Sequence, residues 1–255
     1  MENNIVWDDP SGDWNEQEGF SAVAFGAEDY KAKGSDTINN IVRNNLFAGY
    51  RHCIWAAQFP KSRSAGLRMG FHAYGNTCVA QNGLVVFLSP SLGAGNVDEI
   101  VIENNVFHAN PPTADGLCRS LKANGIRFSH NAWSEAPKDD FCTSRDDVNG
   151  DPGLLTSLDA FSRMDYRRPP VEADFGLSTY SPIIGAGNIL ADWRVLPAGQ
   201  FLNQQIEGQK GCEFSTTALS LDYHCRQRAN PPTIGALELA NYPPNPPVVW
   251  LEEAP

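Results

Sequence analysis

Short stretches in which polar and apolar residues alternate recur through the first part of the chain, and each ends in a similar polar turn. In DEIVIENNVF, Ile100 and Ile102 fall on one side, while Glu99, Val101 and Glu103 fall on the other. That period of two is the signature of a half-buried strand. The same parity groups Leu67, Met69, Phe71 and Ala73 in GLRMGFHAYGN, and Ile126 with Phe128 in ANGIRFSHN. The turn that follows reads VRNNLF at Val42 to Phe47 and IENNVF at Ile102 to Phe107. Weaker copies are AYGNTC, Ala73 to Cys78, and FSHNAW, Phe128 to Trp133.

The asparagines shared by these copies are Asn45, Asn76, Asn105 and Asn131, separated by 31, 29 and 26 residues. Near-regular spacing with small differences fits stacked units that vary in loop length. A β-sandwich with Asn-rich turns is the competing architecture, but it does not require one turn residue at such spacing. Asparagine suits the position because it tolerates left-handed backbone angles. Its amide can also bond the equivalent group one unit away, forming a ladder. A further strand follows each turn: HCIWAA at His52 to Ala57, GLVVFLS at Gly83 to Ser89 and GLCRSL at Gly116 to Leu121.

These repeats resemble the right-handed parallel β-helix shared by pectate-lyase-like proteins. The resemblance covers residues 1–156 as coils of an all-β solenoid. Residues 157–255 then form an irregular C-terminal extension that includes a capping or strap segment. It extends through a C-terminal signature common in bacterial β-helix proteins: Asp151-Pro152, SPIIGAG from Ser181 to Gly187, DYHCRQR from Asp222 to Arg228, and TIGALE from Thr233 to Glu238. Gly185 and Cys225 depart from that signature, where Asp and Gly are usual. Glu2-Asn3-Asn4-Ile5 matches Glu103-Asn104-Asn105-Val106, so the sequence opens at the turn of an earlier coil. The expectation is either further coils upstream or self-association through that uncapped end. The tail NYPPNPPVVWLEEAP has the composition of an extended strap.

Charge narrows the partners. With 30 acidic and 19 basic residues the net charge is −11, and no basic run offers a surface for nucleic acid. No run of eighteen apolar residues exists to span a membrane. The six cysteines, Cys53, Cys78, Cys118, Cys142, Cys212 and Cys225, include no CxxC pair. An even count fits an oxidising compartment, with Cys212–Cys225 the expected pair and some of the others buried as small apolar side chains. The localisation this implies is extracellular or at the cell surface.

Aligning the units on their asparagines puts Arg43, Tyr74, Glu103 and Ser129 in one outward column. Ile41, His72, Val101 and Arg127 form its neighbour. At a strand spacing of about 4.8 Å, His72, Tyr74, Glu103 and Arg127 share a patch, joined by Arg68. Such a set suits acid–base work on a uronic acid, in which a base removes the proton alpha to the carboxylate and a cation steadies the developing charge. The competing reading is an ordinary polar flank. The resemblance itself implies a groove along a different sheet. There the outward positions are read as Trp55, Val85 and Cys118, then Ala57, Phe87 and Ser120. Trp55 and Phe87 would stack on sugar rings, with Arg43 as a further binding residue, or the stripe lies beneath the C-terminal segment and Trp250. The acid pattern of calcium-dependent lyases is missing from equivalent positions of neighbouring coils. Calcium remains open at the loop pairs Asp139-Asp140 and Asp146-Asp147, and no other cofactor is expected. His108 and His130 are read as turn or ladder members. The expected function is association with carbohydrate, as a lyase or hydrolase of acidic polysaccharide. The alternative is a non-catalytic surface or sugar-binding module.

Overall fold

The computed structural model describes residues 4–7, 21–26, 37–57, 68–81, 84–110, 114–155, 170–188, 228 and 230–237. These residues are predominantly strand and contain no α-helix; the helical pieces are short 3-10 turns such as Asp140–Cys142. No helix among them is long and apolar enough to cross a membrane.

Three parallel sheets carry the fold, and the chain visits them in turn. Sheet I holds β1 (Ile5–Trp7), β4 (Leu46–Ala48), β7 (Thr77–Gln81), β10 (Val106–Asn110), β13 (Ala132–Trp133) and β14 (Val148–Asn149). Sheet II holds β2 (Ser21–Phe25), β5 (His52–Ala56), β8 (Val86–Leu88) and β11 (Cys118–Arg119). Sheet III holds β3 (Thr37–Arg43), β6 (Met69–Tyr74), β9 (Val97–Glu103) and β12 (Ile126–Ser129). Every pairing is parallel, between strands one circuit of the chain apart, apart from the consecutive pair β13 and β14.

The alternation seen in the sequence is the alternation between core and surface. Met69, Phe71, Ala73, Ile100, Ile102 and Phe128 all enter one central cluster. Rings stack along it from circuit to circuit, with Phe25 on Phe71 at 4.0 Å and Phe107 on Trp133 at 4.6 Å between centroids. Two disulfides tie the interior together, Cys53–Cys78 and Cys118–Cys142, with Cα separations of 6.3 and 6.1 Å. Four of the cysteines are therefore bridged, where the sequence reading allowed them to be simple apolar filler. Cys212 and Cys225 lie outside the described residues.

Between sheets III and I the asparagines form a continuous ladder. The backbone and side-chain N–H groups of Asn4 donate to Asn45 Oδ1, and those of Asn45 donate to Asn76 Oδ1. Asn76 donates likewise to Asn105, and Asn105 to Asn131. The last rung is Asp147, whose Oδ1 accepts from Asn131 N at 2.8 Å while Oδ2 accepts from Trp133 Nε1 and Ser144 N. The left-handed residue is the one before Asn45, Asn76, Asn105 and Asn131: Asn44, Gly75, Asn104 and His130, with φ between 50° and 61°. Turn geometry and ladder bonding, which the sequence reading assigned to one residue, are thus divided between two.

The C-terminal residues lie over the outer side of sheet I. Leu46, Ala48 and Val79 pack against Phe175, Ala236 and Leu237, while Val106 and Ala132 pack against Leu177, Ile183 and Ile234. Sheet I is therefore buried on both faces, the usual condition of a covered parallel sheet. Polar anchors fix this cover to the turn row. Arg228 Nη2 donates to Asn44 Oδ1 at 3.0 Å and to Gly235 O at 2.8 Å, and Gly235 N donates to Asn104 O. Only glycine fits at position 235, because φ is +101° and a Cβ would stand 2.8 Å from Thr77 Oγ1. Described residues of SPIIGAG and TIGALE hence meet Arg228 of DYHCRQR along one seam. Trp250, expected to cover a stripe on the second sheet, lies outside the described residues.

Candidate functional site

Sheet III presents its outward face as two columns, and the register is the expected one. Arg43, Tyr74, Glu103 and Ser129 are successive partners, as are Ile41, His72, Val101 and Arg127. Exposure divides the columns. Arg43, Tyr74 and Glu103 are buried, and Glu103 Oε1 accepts a 2.7 Å bond from Asn188 Nδ2 of the C-terminal cover. An open flank at these three positions is therefore not what the chain builds. Arg127 remains accessible at 64% exposure, with Nη2 3.8 Å from Glu103 Oε2.

The far end of the same face is irregular. Met69 is opposite Val97 and Phe71 opposite Ile100, so Gly70 alone opposes both Asp98 and Glu99. This is a β-bulge, a feature that re-aims side chains. Two consecutive acids thereby reach two partners on one side of the sheet. Asp98 Oδ1 meets Arg68 Nη1 at 3.4 Å, and Glu99 Oε2 meets His72 Nε2 at 3.3 Å. Two glycines make room. A Cβ at Gly70 would lie 2.9 Å from Glu99 O, and one at Gly125, where φ is +90°, would lie 2.8 Å from Asp98 O. The alternation in the sequence placed Glu99 on the side opposite Ile100 and Ile102 and gave it no partner. The available signal was the Asp98-Glu99 pair itself, since two adjacent acids cannot both obey strict alternation.

Burial pulls the His72 pKa below its ordinary value. The charge and hydrogen bond of Glu99 oppose that pull, Arg127 adds to it, and Glu103 works against it. The imidazole is accordingly neutral near pH 7. The arrangement offers one imidazole, three carboxylates and two guanidinium groups on adjacent strands of one sheet.

Sheet II offers different chemistry. Trp55 is in register with Phe87, and Phe87 with Arg119, so half-exposed aromatic rings and a cation line its outer side. The expected columns Trp55–Val85–Cys118 and Ala57–Phe87–Ser120 are corrected by this register. Val85 and Cys118 belong to the interior. The cause is local, because Val85 O accepts from both Cys53 N and Ile54 N, which breaks the alternation there.

Three of the four loop acids have partners within the chain. Asp139 caps the Asp140–Cys142 turn, with Oδ1 accepting from Phe141 N and Oδ2 from Ser120 N. Asp147 ends the ladder, and Asp146 pairs with Arg145 at 3.3 Å. Among the described residues no three His, Cys, Asp or Glu side chains gather as a metal site. His130 is a turn residue as expected. His108 instead sits on the outer side of sheet I and is 7% exposed. Its Nδ1 is buried without a hydrogen-bond partner, and burial pushes its pKa down to about 4. No family model matches the chain, and no curated protein or solved structure matches it either.

Proposed function

We propose that this chain is a parallel β-helix of the pectate-lyase-like kind that acts on acidic polysaccharide outside the cell. The observation that carries this reading is the cluster of His72, Glu99, Glu103 and Arg127 with Arg68 and Asp98, drawn from three neighbouring strands of sheet III. Titratable side chains concentrated on one face support turnover more than passive binding. Arg68 and Arg127 suit the carboxylates of a uronic acid polymer. Asp98 lies 3.4 Å from Arg68 with both side chains exposed, whereas Glu103, 3.8 Å from the exposed Arg127, is buried. Exposed ion pairs contribute only ~0–1 kcal/mol, so a substrate carboxylate competes with Asp98 for Arg68 at little cost, and it reaches the exposed guanidinium of Arg127 from solvent. The three sheets visited in turn and the asparagine ladder support the β-helix reading. The two disulfides support an oxidising compartment.

The test is incubation with pectate, alginate and neutral glycans, with and without calcium, following unsaturated ends by absorbance and reducing ends in parallel. New ends from an acidic glycan, lost in Arg127→Ala, are the expected result. No product from any glycan would overturn the enzyme reading.

A second reading rests on sheet II. The adjacent rings of Trp55 and Phe87 form a platform on which sugar rings stack, supporting a binding module without turnover. Saturable binding lost in Trp55→Ala, with no product formed, would select it. Strands β1, β2 and β3 are the edge strands at one end of the three sheets. Self-association through this end is part of the same proposal, and light scattering across a concentration series checks it.

A further inference from the structure

The sequence puts His72 in a shared patch with Tyr74, Glu103 and Arg127, but its surroundings set it behind another group. The side chain is only 19% exposed, and Nδ1 is buried. Its other nitrogen, Nε2, is directed at Glu99 Oε2, 3.3 Å away. Glu99 itself is 63% exposed. A ligand arriving from solvent therefore meets the carboxylate first, with the imidazole behind it. The backbone is built to hold the acid there. The bulge at Asp98 and Glu99 requires that residue 70 carry no side chain, and Gly125 closes the other side of it.

Resting on the glycan-active reading, we propose that Glu99 is the carboxylate that exchanges a proton with the polysaccharide and that His72 is its positioning residue. The neutral imidazole donates its Nε2–H to one carboxylate oxygen and fixes the group in place. The other oxygen accepts the hydrogen alpha to a uronate carboxylate. The electron pair of that C–H bond forms the new carbon–carbon double bond. The glycosidic oxygen leaves with its bonding pair and takes a proton from water, and the hydroxide left behind is neutralised by the proton on Glu99. Arg127 flanks the site and offsets the charge that develops on the substrate carboxylate.

Two readouts on the full chain test this. The first is the NMR titration of the His72 ring proton in the wild type and in Glu99→Gln. The midpoint is expected to fall in the variant, because the carboxylate that raises it is gone, while Arg127, Glu103, Arg68 and Asp98 still face the site. The second is the unsaturated-end assay. Glu99→Gln is expected to lower kcat about 100- to 10,000-fold with KM little changed. His72→Gln, which keeps an N–H donor, should retain far more activity than His72→Leu. An unmoved titration midpoint would overturn the pairing, and so would a Glu99→Gln variant more active than His72→Gln. A moved midpoint with no turnover of any glycan would uphold the pairing and locate the failure in the sugar reading.

Discussion

The two ends of sheet III are built on opposite principles. At the ladder end, every strand leaves through the same two-residue turn, and the amides of successive circuits saturate one another beneath the C-terminal cover. At the bulged end, a residue is inserted, glycines clear space, and Asp98 and Glu99 emerge to meet the exposed Arg68 and the half-buried His72. The first end stabilises the stack, because buried polar groups are costly unless fully bonded. The second contributes little to stability, yet irregular backbone is retained there. Irregularity that the fold does not need is where function is best sought.

The contrast is broken most severely at the ladder. Asn105 Oδ1 accepts from Asn76, and its Nδ2 lies within hydrogen-bond distance of Ala73 O, Glu103 O and Asn131 Oδ1. Asn105→Ala leaves these buried groups unsatisfied, and a loss of about 3–5 kcal/mol in urea unfolding is expected.

A second large effect belongs to the covered side. His108 has a folded-state pKa of about 4 against 6.5 for the free group, so the unfolded chain binds more protons between those values. Stability should therefore fall as pH drops from 6.5 through 4, by something on the order of 3 kcal/mol. His108→Leu should flatten that part of the profile in thermal melts from pH 7 to 4. Asp147 works in the opposite direction. Burial raises its carboxyl pKa despite three N–H donors, so its contribution is greater in acid and is lost as pH rises through the raised value.

Smaller effects are expected at the bulged end. Gly70→Ala forces a Cβ against Glu99 O and should cost about 1–3 kcal/mol, while lowering the His72 titration midpoint as Glu99 is displaced. Arg68→Ala should change stability by less than ~0.5 kcal/mol. A large loss there would mean that the charged face is structural.

What the residues disclosed in advance follows the same division. The ladder asparagines were legible because each circuit repeats them at nearly constant spacing, and the columns through His72 and Arg127 followed by counting from them. Asp147 was read as a loop acid and not as a rung, since the final rung uses a carboxylate and stands only 16 residues after Asn131. The register of sheet II was misjudged because it lies beyond loops of unequal length, and the shared bond at Val85 resets the count. The site was half legible. The columns that hold His72 and Arg127 followed from position, whereas the place of Glu99 depends on a bulge that only pairing reveals. The burial of Arg43, Tyr74 and Glu103 depends on contacts such as that with Asn188, 85 residues beyond Glu103.

On the proposed reading the bulged face of sheet III, and not the ladder or the aromatic row, meets the ligand. The most direct test is an amide NMR titration of the chain with short oligouronates. Chemical-shift changes should gather at residues 68–74, 98–103 and 126–129, with the signals of Asn45, Asn76 and Asn131 unmoved. Changes confined to the surroundings of Trp55 and Phe87, or no changes at all, would contradict it.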